Sequence, residues 1–113
     1  MNIETFRTYC LSKKGVTESF PFDESTLVFK VGGKMFALTD LDTPELKVNL
    51  KCNPEKAISL REQYPEIIPG FHMNKKHWNT VQFNSNIGVK LFKELIDHSY
   101  DLVMQSLPKK HRF

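Results

Sequence analysis

No stretch of this chain approaches the run of about eighteen apolar residues that a membrane-spanning helix requires, so none is expected. Met1 to Gly15 interleaves polar and apolar side chains and has no apolar centre of the kind a secretory leader needs. Cysteine is scarce. Cys10 and Cys52 are the two present, and they form no Cys-x-x-Cys pair, which removes zinc-ribbon and dithiol motifs. Both fall on apolar faces and are expected as buried free thiols in a reducing, cytoplasmic setting; a Cys10–Cys52 disulfide is the alternative. His-Glu-x-x-His, a Cys/His grid and a Gly-x-Ser-x-Gly elbow are all missing. Gly32-Gly33-Lys34 lacks the Walker spacing and joins two strands, so it is no phosphate loop. No metal, cofactor or catalytic residue is expected, and the chain reads as one that binds rather than catalyses.

What is present fits one domain. The chain has 113 residues, with 40% hydrophobic and 26% charged, and nine phenylalanines give bulk for a single core. The net charge is +3. Residues 1–60 hold 8 Lys/Arg against 8 Asp/Glu, and residues 61–113 hold 8 against 5, so the whole excess lies in the second half. Such a bias permits an anionic partner without demanding one.

Asn2 is placed to cap a first helix with Ile3, Phe6, Cys10 and Leu11 inward, and Gly15 to stop it. Glu18 to Glu24 is expected as an irregular connection with buried aromatics, because Pro21 blocks pairing; Glu18 is expected to cap donors in the Phe-Pro-Phe turn. Ser25 to Val31 alternates as a strand, Gly32-Gly33 turns it, and Lys34 to Thr39 returns. Glu45 to Cys52 alternates most cleanly, with Lys47, Asn49 and Lys51 on the wet face. Asn53-Pro54 starts a second helix that runs to about Tyr64. Ile67 to Phe71 is extended, Trp78 to Phe83 is a strand, and Ile87 to Leu107 has helical spacing. Pro108 ends it ahead of the basic tail Lys109 to Arg112. The order predicts a two-layer α+β fold, an antiparallel sheet packed against N- and C-terminal helices.

Four blocks resemble the MmcQ/YjbR family of small bacterial proteins. They are Gly15-Val16-Thr17-Glu18 with Phe20-Pro21-Phe22; Val28 to Ala37; Leu50 to Glu55 with Leu60-Arg61; and Pro69 to Asn79 with Ser99-Tyr100 and Leu107 to Lys110. The resemblance covers nearly the whole chain. It implies a CyaY-like α+β domain, residues 1–113, and a DNA-binding role, the label family members commonly carry. The acidic first helix of a CyaY-type iron site is absent, since only Glu4 is acidic there.

The candidate surface is the segment Asn74-Lys75-Lys76-His77, where lysines suit phosphate and Asn74 and His77 can add hydrogen bonds. Trp78 is expected to anchor it in the core rather than stack on bases. Lys34, Lys47 and Lys51 extend the surface if their strand faces adjoin it, and a hairpin wing with Lys30 and Lys34 could follow a nucleic-acid backbone. Otherwise these lysines serve solubility and guard strand edges. The expected partner is double-stranded DNA and the expected state a monomer. The alternative is a protein- or small-ligand-binding module with an aromatic pocket near Phe20, Phe22 and Trp78.

Overall fold

A computed structural model describes residues 1–112. Its elements are α1 (Ile3–Leu11), β1 (Val16–Ser19), β2 (Thr26–Val31), β3 (Lys34–Asp40), β4 (Lys47–Lys51), α2 (Pro54–Gln63), β5 (Ile67–Pro69), β6 (Trp78–Gln82) and α3 (Val89–Ser106). A short 3-10 turn, Lys109–His111, follows. The strands form one antiparallel sheet in the order β1-β2-β3-β4-β6-β5. This is the α+β architecture that the sequence pattern predicts.

Local chemistry explains most boundaries. Asn2 Oδ1 accepts the Thr5 amide at 2.8 Å and starts α1. Asn53 Oδ1 accepts from the amides of Glu55 and Lys56, with Pro54 at the first helical position of α2. The β2–β3 turn needs glycine twice, at φ 59° and 79°. Gly32 is further constrained, because an added Cβ would lie 2.5 Å from Leu107 Cδ1.

Helices pack on one face only. α3 lies across β2, β3 and β4, α1 on β1, and α2 on β5 and β6. Between the layers sit Phe6, Phe29, Phe36, Phe83 and Phe92 with Val48, Leu50 and Val81. Phe6 meets Phe29 and Phe83 edge-on, and Phe83 stacks on Phe92.

Two expectations need correction. Glu18 caps nothing in the Phe-Pro-Phe turn; it pairs with Arg7 of α1. Asp23 makes the turn instead, accepting from the amides of Ser25 at 3.0 Å and Thr26 at 2.6 Å. Phe20 and Phe22 are exposed, at 48% and 63%. Turned outward by that tight Asp23 loop, they have no layer above them to bury against.

Candidate binding face

The second face of the sheet is built from β4 outward. Val48 and Leu50 point into the core, so Lys47, Asn49 and Lys51 point to the opposite face. Register carries this face across the sheet. Val28 pairs with Leu38, Leu38 with Asn49, and Asn49 with Thr80. Lys51 pairs with Trp78. Val28, Leu38 and Trp78 form a small cluster with Met35 and Met73, and no helix residue enters it.

Trp78 is therefore buried, at 8% exposure, though not in the main core as the sequence suggests. It is the floor of the helix-free face. Gly70 makes room for it, since a Cβ there would lie 2.7 Å from Trp78 Cβ. The Gly70 amide donates to Trp78 O at 2.8 Å, which folds the loop back over the strand.

The basic loop has defined internal geometry. The Lys76 amide donates to Asn74 Oδ1 at 2.9 Å, and the His77 amide to Asn74 O at 3.2 Å. Asn74 thus shapes a turn that leaves Lys76 and His77 exposed. Lys75 Nζ donates to Gly70 O at 3.1 Å. Arg61 of α2 holds the loop from below. Its Nε donates to Asn79 Oδ1 at 2.7 Å, and its Nη2 to the carbonyls of Lys75 and Trp78. In the sequence Arg61 stands out only through the Leu60-Arg61 block and its place in the last turn of α2, and neither assigns it this role.

Of the residues put forward from sequence, Lys51 and the 74–77 loop come together. The Cys52 amide donates to His77 O at 2.8 Å, so the loop leaves directly beside Lys51. Lys30 points to the same face, two strands away. Lys47 lies at the far end of β4, roughly 13 Å along the strand. Lys34 is apart from all of these. It pairs with the core residue Val31, so it faces the helical layer, where Nζ meets Ser106 Oγ at 3.4 Å. Lys30 and Lys34 thus leave the hairpin on opposite sides.

The far end of the face differs in character. A groove of about 760 Å³ is lined there by Phe22, Met35, Leu38, Phe71 and Met73, with Asp40, Glu45 and Lys47 among its polar groups. Phe71 forms one wall and is held by its backbone. Its amide donates to Thr80 Oγ1 at 2.9 Å, and its carbonyl accepts from Asn49 Nδ2 at 3.1 Å. Thr80 Oγ1 closes the network by donating to Asn49 Oδ1. Phe71, 55% exposed, lines this site; in the sequence it stands only as part of the Pro69 to Asn79 block, with no role of its own.

The thiols are free and buried. Burial pushes Cys10 up to about 12 and also raises Cys52, so neither is a ready thiolate.

A YjbR family model matches residues 11–102. The chain belongs to the YjbR family. Within that family it is 38% identical to the YbdF protein of Escherichia coli O157:H7 over 107 residues, covering 95% of this chain and 88% of the relative. YjbR of Escherichia coli K12 is 32% identical over 112 residues, covering 99% and 95%. The crystal structure of DR2400 from Deinococcus radiodurans superposes with a TM-score of 0.91 at 40% identity, covering 97% of this chain and 84% of that one. A crystal structure from Pseudomonas syringae gives 0.80 at 31% identity, covering 91% and 99%. The layout of sheet and helices is thus shared with these solved structures.

Proposed function

We propose that this YjbR-family protein binds duplex DNA through the basic end of its helix-free face, by backbone contacts rather than base readout. The observation that carries the reading is contiguity: Lys51, Lys75, Lys76 and His77 come together through the Lys51–Trp78 register and the Cys52–His77 bond. Lys30 widens the surface, and Asn74 shapes the loop. Lys47 is an outlying contact, because acidic groups surround its end of the groove. Lys34, on the other side of the sheet, has no part in this surface. The role is one of binding without catalysis. Two unpaired, buried thiols support a reducing, cytoplasmic location, and no described helix is long and apolar enough to cross a membrane.

The test is fluorescence anisotropy with a labelled duplex at two salt concentrations. Log affinity should fall with log salt at a slope of about −0.9 per phosphate contact. About four contacts, from Lys30, Lys51, Lys75 and Lys76, imply a loss of roughly 10²-fold between about 50 and 200 mM salt. Exchanging both Lys75 and Lys76 for Glu should weaken binding by about tenfold or more while leaving the melting temperature in place. Undetectable or salt-independent binding would overturn the proposal. Unchanged affinity in the double variant would remove the loop from the site.

A further inference from the structure

The groove at the opposite end of the same face carries a different chemistry. Its carboxylates outnumber its lysine three to one: Asp23, Asp40 and Glu45 against Lys47. Asp23 is committed to its own turn through Ser25 and Thr26. Asp40 and Glu45 are not held by cations. Among the described residues the ion pairs are Arg7–Glu18 and Lys13–Asp97, and neither involves this groove. Two exposed aromatic side chains, Phe22 and Phe71, line the same groove. Aromatic faces near unpaired carboxylates favour a cation with an apolar body, because the ring quadrupole and the carboxylates attract the same charge.

The groove already shows this preference. Lys47 Nζ lies 5.7 Å from the Phe71 ring centroid, although Asp40 and Glu45 line the same groove. Its ammonium occupies the position that a ligand's cationic head would take. We infer that this groove is a binding site for a small organic cation with an aromatic or aliphatic body, and that Lys47 is its built-in competitor. The body would rest on Met35, Leu38 and Met73, while the head would sit between Phe71 and the carboxylates of Asp40 and Glu45. The site shares only Lys47, an outlying contact, with the DNA surface, whose main lysines lie at the other end of the face.

The probe is benzyltrimethylammonium, titrated into the ¹⁵N-labelled protein and followed by amide shifts. Phenylacetate and benzyl alcohol serve as anionic and neutral versions of the same ring. Saturable shifts at Phe22, Leu38, Asp40, Phe71 and Met73 are expected with the cation. The two controls should bind about tenfold more weakly or worse. Replacing Asp40→Asn together with Glu45→Gln should weaken the cation by roughly five- to tenfold, and the side-chain carbonyl that Asp40→Asn leaves in place can still accept the Asp42 amide. Lys47→Met should tighten it by about threefold, by removing both the like charge and the resident occupant. In the DNA assay the same substitution can only weaken or leave binding unchanged, so the two readings fail separately. Equal response to phenylacetate, no saturation, shifts centred elsewhere, or weaker cation binding in Lys47→Met would each overturn the inference.

Discussion

Arg61 donates to a buried side chain and to two loop carbonyls at once, which no other side chain near the basic loop does. Asn79, its side-chain partner, is 3% exposed, and its Nδ2 already lacks a partner. Removing Arg61 would orphan Asn79 Oδ1 as well. Arg61→Ala should therefore cost about 2 kcal/mol in chemical denaturation and speed amide exchange across residues 74–78. Arg61→Lys should recover only part of this, because an ammonium cannot spread across three acceptors as a guanidinium does. Equal stability of wild type and the Ala variant would show that the loop holds its own shape. At this scale the sequence is legible in kind and not in direction. The alternation of β6 puts Trp78 with Thr80 and Gln82, opposite Val81 and Phe83. Once Val81 and Phe83 fill the core, Trp78 has to lie on the bare face. A tryptophan's size favours burial, but it does not specify which layer of the fold supplies it.

Between elements, the joint that matters most is made by Ser99 of α3. The β3–β4 ladder stops at the Ala37–Leu50 pair. Beyond it the Ser99 hydroxyl inserts between the strands, donating to Phe36 O at 2.5 Å and accepting from the Lys51 amide at 2.9 Å. One hydroxyl thus satisfies two backbone groups and sets the strand end from which Lys51 projects. Ser99 is fully buried, so Ser99→Ala leaves both groups unpaired away from water. A loss of about 1–3 kcal/mol is expected, with faster exchange of the Lys51 amide as its local signature. A shift in denaturation midpoint without that local change would place the cost elsewhere. Helical spacing puts Ser99 on the inward face of α3, and the hairpin, β4 and the capped α2 are equally plain from pattern and turn chemistry. β1 is not. Val16–Ser19 is four residues long, with alternate side chains exposed, and it is a strand because β2 offers it an edge. Its pairing is non-local, which periodicity within four residues cannot register. The candidate site is harder to read for the same reason. Lysines are visible in the sequence one at a time, whereas the separation of Lys34 from Lys51 follows from which face each strand buries.

For the whole molecule, having the described helices on one side of the sheet puts the main core on one face and the proposed DNA surface on the other. The helical layer should therefore govern the response to pH. Asp97 of α3 joins α1 by accepting from Tyr9 Oη at 2.6 Å and pairing with Lys13 Nζ at 2.6 Å. Burial alone would raise its carboxyl, but the hydrogen bonds from Lys13 and Tyr9, with the charges of Lys13 and Lys93, outweigh it and leave the group below its usual value. A carboxyl lowered in the folded state stabilises above its unfolded value, near 3.8, and loses that contribution as pH falls further. His98 works in a separate window. Its Nε2 accepts the Asn53 amide at 3.1 Å, which requires the unprotonated ring, and burial followed by the nearby Lys56 lowers it from 6.5. Above that value both states are neutral and the shift contributes nothing. Below it the unfolded chain takes up the proton first, so stability declines as pH drops. Denaturant midpoints across pH 7 to 3 should thus fall in two stages. His98→Gln should flatten the upper stage, between 6.5 and the lowered value, and Asp97→Asn should remove part of the lower one, below about 4, to which Glu18 and Asp23, also lowered by their hydrogen bonds to Arg7 and to Thr26 and Ser25, contribute as well. Asp97 is partly exposed, so added salt should shrink the lower stage more than the upper. If His98→Gln left the upper stage intact, the link between α3 and the start of α2 would not be the source of the pH dependence.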